Sequence, residues 1–447
     1  MSTLTRRYPS PFVLARSAAF ARSEGVDISA ADFLESAAAL SASLAPCGHV
    51  VNLCENSYRF LVGFAAAVLR GRTTLLPPSH APSAVAEMIA AFPECCVLND
   101  ASVIGSSHSL SIGPVGSSMD FVAAIGHTSG STGKPVAHAK SWSGLRVTTS
   151  LNAATIRASI GSDALGQQPW IVATVPPQHM YGLETSVLLP LLAGFGVHGG
   201  RPLLPADVAS TLEETPVPRV LVSTPVHLRA LTASRVTFPE VAVVVSATAP
   251  LPVDLARDVQ RRLGAVLVEF FGSTETCVIA TRKTASDDGW RPYPGVGVRH
   301  GGGGTIVSAP WFSHDQRLHD IVELRRDGTF VVVGRGNDVI EVAGKRASLT
   351  DLTRRLQSLD GVNDAVVFQP AGQEAGAVGR CAALVVAPSL TASEIARRMR
   401  NMVDAAFVPR PIVLVPKLPR NDVGKLPREQ LLELLATSSA SRPRRGT

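Results

Sequence analysis

Five short runs constrain this chain most: HVVNLC (49–54), IVATVPP (171–177), RVLVSTP (219–225), VAVVVSATAP (241–250) and AVLVEFFG (265–272). Each is too short for an independent helix, is apolar at successive rather than alternate positions, and ends in a turn or a helix start. A strand apolar on both sides must be covered on both sides, which is the environment of a parallel sheet flanked by helices. The intervening stretches fit. SYRFLVGFAAAVLRG at 57–71 is amphipathic, and Gly71 is a helix stop before TTLLPP. The expectation is an α/β chain in which ligands collect beyond the carboxyl ends of the strands. HTSGSTGKP (127–135), PPQHMYG (176–182), SATAP (246–250) and FGSTET (271–276) stand at such ends.

With 447 residues the chain is long for one domain. A change of character near Gly334 to Asn337 divides it: residues 1–335 form a large domain of parallel and mixed sheets with flanking helices. Residues 336–434 form a small mobile α+β domain, built from GVNDAVVFQP, CAALVVAP, LTASEIARRMRNMV and RPIVLVPKLP. Residues 435–447, ending in SASRPRRGT, are expected to be a disordered tail.

HTSGSTGKP gathers hydroxyls, glycines and a lysine with little side-chain bulk, which suits a polyphosphate. It is not the G-x-x-x-x-G-K-[ST] loop of nucleoside triphosphatases. Thr128 stands where the first glycine belongs, and Pro135 replaces the hydroxyl that would hold magnesium. Taken alone, the stretch also reads as a polar surface turn.

Composition narrows the classes. Hydrophobic residues make up 45% and charged residues 17%, which allows a sizeable core and excludes disorder for most of the length. FLVGFAAAVL at 60–69 is about half a membrane span, and FVLAR is too short for a signal-peptide core. The six cysteines lack zinc-ligand spacing, and only Cys95 and Cys96 adjoin, so reduced thiols in a cytoplasmic protein are expected. From Asp338 onward there are 16 Lys and Arg against 11 Asp and Glu, an excess of +5 within a total of +6. That basic quarter is either a solvated face or a surface for an acidic protein partner. Nucleic acid is disfavoured, since aromatic residues are 5% and no recognised nucleic-acid motif accompanies the arginines.

Four stretches occur in order: HTSGSTGKP at 127, EFFGSTET at 269, the Asp320 to Arg335 segment, and LPRNDVGKLPR at 418. Together they resemble the adenylate-forming superfamily of acyl-CoA synthetases, aryl-acid ligases and peptide-synthetase adenylation domains, over about Asn52 to Leu435. The resemblance implies ATP and Mg2+ as cofactors. It places Thr128, Ser129, Gly130, Ser131, Thr132, Gly133 and Lys134 on the pyrophosphate side. Phe271, Gly272, Ser273, Thr274 and Thr248 fall around the nucleotide, and Glu275 is the magnesium ligand. Asp320 matches the ribose-binding aspartate, whose carboxylate can accept from two hydroxyls at once. Arg335 precedes the hinge, which is Asn337 here, and Lys425 matches the catalytic lysine of the small domain. His179 falls at the acid pocket and its thiol tunnel, with a satisfied core histidine as the alternative. Tyr181, Leu183, Ser246, Thr248 and Cys277 lie on the remaining pocket stretches. One departure is clear: Pro135 is followed by Val136 and Ala137 where the family has Lys-Gly, and Lys140 comes later, before Trp142.

The short length and NLCENSYRFLVGFAAAVLRGRTTLLPPS look most like a compact bacterial branch found with aryl-polyene and xanthomonadin pigment pathways. That likeness implies a 3- or 4-hydroxybenzoate-like acid and transfer to the phosphopantetheine thiol of an acyl carrier protein. Free coenzyme A is the alternative acceptor, and a non-catalytic adenylate-binding regulator is a reading from another class.

Overall fold

The computed structural model describes residues 11–14, 19–77, 82–104, 121–129, 135–164, 166–301, 304–335, 339–342, 345–370, 380–421 and 424–440. The chain divides into two compact units, one comprising 1–288 with 310–313, the other 289–309 with 314–447. The division falls earlier than Gly334 to Asn337. Strand Phe330–Arg335 packs on helix Leu349–Gln357 and strand Lys345–Ser348, which draws it into the second unit.

In the first unit the strands are β1 (Ala21–Ser23), β2 (Val26–Ile28), β3 (His49–Asn52), β4 (Thr73–Leu76), β5 (Cys95–Leu98), β6 (Val122–Ser129) and β7 (Pro135–Ser141). They continue with β8 (Trp170–Ala173), β9 (Gly196–His198), β10 (Arg219–Ser223), β11 (Val243–Ser246), β12 (Val266–Ser273) and β13 (Cys277–Arg282). One sheet has the order β5-β3-β4-β6-β7, with all but β7 parallel. The other contains β13-β12-β11-β10-β8-β9-β1-β2, antiparallel only at β13 and β2. The Val-rich runs behave as their composition demands: β8 and β11 are buried at every position. Val172, Leu221, Val244 and Leu267 share one face and pack on helices Pro205–Glu214, Pro225–Ala233 and Val253–Leu263. Truncating any of these side chains costs about 2–5 kcal/mol by the usual cavity arithmetic.

Local chemistry sets the helix ends. Asn56 caps Ser57–Leu69 by accepting from the Arg59 amide, and Gly71 leaves the helix at φ +62°. The second unit carries a sheet of Asp364–Phe368, Ala382–Val386 and Ile412–Leu414. Its core joins Leu352, Leu356, Ile395 and Met399 from two helices. Thr391 and Glu394 form a reciprocal capping box before Ala392–Arg400.

Two expectations are corrected. The tail does not begin at 435, because helix Arg428–Ala440 continues through it with Leu431 in its core; residues 441–447 lie outside the described residues. The cysteines are not all reduced: Cys47 and Cys96 form a disulfide with their Cα atoms 6.0 Å apart, across a sequence separation of 49. Pairing of β3 with β5 brings the loop before His49 beside Cys96, a proximity that sequence spacing does not reveal. Cys54, Cys95, Cys277 and Cys381 are free.

Candidate active site

In the first unit, HTSGSTGKP, SATAP and FGSTET follow the carboxyl ends of parallel strands β6, β11 and β12, and PPQHMYG follows β8. The loop of the first motif is shorter than expected: His127–Ser129 still belong to β6 and Pro135 already to β7, with Thr128 opposite Val136 and Ser129 opposite Pro135. Gly130, Ser131, Thr132, Gly133 and Lys134 lie outside the described residues. The period of two in β7 puts Val136, His138 and Lys140 on one face. His127 Nδ1 lies 3.2 Å from the Leu76 carbonyl oxygen, and burial lowers its pKa.

Phe271, Gly272 and Ser273 end β12, and a turn through Thr274, Glu275 and Thr276 leads into β13. The Ser273 amide donates to Thr276 Oγ1 (3.1 Å), which itself donates to the Cys277 carbonyl (2.8 Å). Gly272 is required here: a Cβ would collide with the Cys277 carbonyl oxygen across the hairpin. Gly126 of β6 is similarly tight, since its Cβ would come 2.7 Å from Thr274 Cγ2. The strand that leads into the first motif and the Thr274–Thr276 turn, far apart in sequence, are thus packed against each other. Lys140 Nζ donates to the Glu275 carbonyl oxygen at 2.5 Å, and His138 Nε2 is 3.7 Å from Glu275 Oε1. Burial opposes the Glu275 carboxylate. Hydrogen bonds from Ser273 and its own amide, with His138 and Lys140 nearby, outweigh this and hold its pKa below the usual value.

His179 precedes a short helix, Met180–Gly182, that passes into a π-helical stretch, Leu183–Leu188. Gly182 is close enough to the Pro176 carbonyl that no Cβ fits, and the Thr185 and Ser186 hydroxyls donate back to Tyr181 and Gly182 oxygens. Single π turns of this kind concentrate at functional sites. Of the pocket candidates, Tyr181, Leu183, Ser246 and Cys277 are buried, and His179 and Thr248 are partly exposed. The Tyr181 hydroxyl donates to the Ser223 and Val245 carbonyl oxygens. Among the described residues, the buried Ser246 Oγ has no hydrogen-bond partner. Three non-glycine residues among those described have positive φ, and two are candidates: Thr248 at +79° and Cys277 at +61°. Such strain persists only where the surroundings over-determine it.

Sequence reasoning missed Glu184, which is 2% exposed. Its Oε2 accepts from the Val278 amide (3.1 Å) and Asn152 Nδ2 (3.3 Å). The available signal was a lone carboxylate in the apolar run LETSVLLPLL. Burial pushes its pKa up to about 7, against those hydrogen bonds and the Lys140 charge; burial and Glu184 together push the Cys277 thiol to about 12. A carboxyl raised from 4.5 to about 7 on folding stays protonated in the native state while the unfolded chain ionises. The contribution is therefore complete below pH 4.5 and lost as pH rises to about 7, a change of roughly 3 kcal/mol. Urea unfolding of Glu184→Gln against wild type should show the stability difference moving toward the variant by that amount across this window. A difference independent of pH would count against the raised pKa.

In the second unit Asp320 and Arg335 stand directly opposite each other across an antiparallel hairpin, and Thr305 Oγ1 donates to the Asp320 carbonyl at 2.6 Å. Lys425 is exposed on a short loop closed by its own backbone: its amide donates to Asn421 Oδ1 and its carbonyl accepts from the Asn421 amide, each at 2.8 Å. Arg420 secures the loop, with two bonds to the Asp364 carboxylate (2.9 and 2.8 Å) and one to the Gly424 carbonyl (2.8 Å). Asn337 lies outside the described residues.

Residues 97–307 match the model of the AMP-binding enzyme family. That match covers a little under half of the chain. The chain is 28% identical over 312 residues to a 4-coumarate–CoA ligase of Halorhodospira halophila, covering 67% of the chain and 73% of that ligase. It is also 28% identical over 152 residues to a phenyloxazoline synthase of Mycobacterium tuberculosis, covering 33% of the chain and 10% of that much longer protein. The fold matches a benzoate CoA ligase from Burkholderia xenovorans with a TM-score of 0.74 at 18% identity, over 94% and 97% of the two chains. Among the described residues, no three His, Cys, Asp or Glu side chains group as a metal cage, and no helix is long and apolar enough to cross a membrane.

Proposed function

We propose that the enzyme joins a small aromatic carboxylic acid, of the 3- or 4-hydroxybenzoate kind, to the phosphopantetheine thiol of an acyl carrier protein through an acyl-adenylate. In the first step a carboxylate oxygen attacks the α-phosphorus of ATP and the bond to pyrophosphate breaks. In the second the thiol sulfur attacks the acyl carbon, its proton is lost, and AMP leaves. The carrying observation is the packing of Gly126 against Thr274, which puts the hydroxyl-rich strand end and the Glu275 turn side by side. Negative charge grows on the α-phosphate and on pyrophosphate, so donors there lower the barrier. Thr128, Ser129, Ser131, Thr132 and Lys134 serve pyrophosphate in this reading. Asp320 accepts from the ribose hydroxyls, and Lys425 lies between carboxylate and α-phosphate.

A magnesium ion suits Glu275. Such an ion takes one or two protein carboxylates and completes its shell with phosphates and water, and Glu275 is a half-buried carboxylate held in its ionised form. When bound, the ion neutralises phosphate charge. The buried, unpartnered Ser246 hydroxyl favours an acid with a ring hydroxyl over an alkyl chain, since a buried polar group left unpaired is costly. A pigment-pathway role and a cytoplasmic setting rest on the motif resemblance. Within the second unit, we read residues 336–434 as the mobile small part that carries Lys425, hinged near Asn337.

Free coenzyme A is the second reading, favoured by the coenzyme A ligases among the relatives. The carrier reading is favoured by the basic C-terminal quarter and by helix Ala392–Arg400, which buries Ile395 and Met399 and exposes Arg397 and Arg400. Acid-dependent pyrophosphate exchange over a panel of acids, then mass spectrometry of holo carrier protein and of coenzyme A, tests the proposal. Binding of nucleotide without exchange for any acid would leave the regulator reading. Arg397→Glu with Arg400→Glu should raise the KM for carrier protein by roughly tenfold at low ionic strength, with the effect shrinking as salt rises. Exchange should not change. Efficient loading of coenzyme A with every holo carrier refused would overturn the carrier assignment.

A further inference from the structure

The turn that carries Glu275 is held by two buried ionisable side chains that the reaction itself does not require. Lys140, 9% exposed, reaches it from β7 and donates Nζ to the Glu275 carbonyl oxygen at 2.5 Å. Glu184, 2% exposed, reaches it from the π-helical stretch and accepts from the Val278 amide at 3.1 Å. Between these two anchors lies Cys277, in a left-handed conformation that its side chain disfavours. Taking an ammonium and a carboxyl group out of water is expensive, and apolar residues of like size would stabilise a core as well or better. What the two polar anchors supply is a fixed backbone path from Glu275 to Val278. Lys140 lies four residues beyond Val136, on the same strand face.

We infer that Lys140 and Glu184 are positioning residues that lock the Glu275–Val278 turn, so that the Glu275 carboxylate is presented to a nucleotide-bound magnesium ion. Glu184 also ties that turn to the segment bearing His179, Tyr181 and Leu183. The acid-side helix and the nucleotide-side turn therefore move as one piece. Asn152 supports the arrangement by donating to the same Glu184 oxygen at 3.3 Å. This inference rests on the proposed role of Glu275.

The test is equilibrium binding of a non-hydrolysable ATP analogue with and without Mg2+, together with AMP binding and the melting temperature of the ligand-free protein. Lys140→Met and Glu184→Leu should weaken magnesium-dependent analogue binding by roughly tenfold to a hundredfold, the range usual for groups that orient a metal ligand. Metal-independent AMP binding should stay within about twofold, which a general loss of structure would not allow. Glu184→Gln keeps an oxygen acceptor for the Val278 amide and should retain near wild-type affinity. Glu184→Asp keeps the carboxyl group, shortens the reach and should fall between. A folded Lys140→Met or Glu184→Asp with wild-type magnesium-dependent affinity overturns the inference, and so does equal loss of AMP and analogue binding. Should the wild type show no acid-dependent exchange while these binding shifts persist, the proposed ligase reaction fails and the positioning roles stand.

Discussion

Lys425→Ala should reduce acid-dependent pyrophosphate exchange by a hundredfold or more while leaving the protein folded. A donor placed where charge grows in the transition state is worth about 3 kcal/mol or more, which sets this scale. Folding should be spared because Lys425 is exposed and the bonds that close its loop use its backbone amide and carbonyl, which alanine keeps. Arg420 and Asp364 continue to hold the loop's other side. Thioester formation from a supplied acyl-adenylate should survive better, since no phosphorus–oxygen bond is then broken. The two half-reactions must be measured separately. Equal loss in both would remove Lys425 from the adenylation step.

Glu275→Gln should raise the Mg2+ concentration needed for half-maximal exchange by roughly tenfold or more and lower kcat/KM for ATP, with little change in the KM for the acid. The amide is isosteric and keeps the backbone carbonyl that Lys140 grips, so the turn should remain in place. The lost element is the full negative charge, which Ser273, the Glu275 amide, His138 and Lys140 hold in its ionised form against burial. A titration of rate against Mg2+ at saturating ATP reads this directly. Unchanged magnesium dependence would take Glu275 out of the metal site.

Much of the first unit was legible in its strand runs, because a stretch of valines flanked by turns has few other uses. RVLVS and VVVS form adjacent parallel strands, and the motifs beyond their ends lie where a parallel sheet gathers ligands. The pairing that sets Asp320 opposite Arg335 across a hairpin was not legible in the sequence, which offered the two residues only as separate motif matches. The cysteine reading failed at Cys47 and Cys96, which spacing could not pair. The tail was placed too early because SSASRPRRGT reads as polar low-complexity sequence, whereas Leu431, Leu432, Leu434 and Leu435 find an apolar surface within the second unit.

The sequence by itself determined the α/β class, the order of the motifs and their hydroxyl- and glycine-rich composition, since these depend on neighbours along the chain. Only the tertiary structure decided which distant groups share one turn. Lys140 meets Glu275 across a separation of 135 residues and Glu184 meets Val278 across 94. Local periodicity cannot report such meetings. A lysine in a strand and a glutamate in a helix read as solvent-facing until the fold buries them, and burial is what makes their partners obligatory.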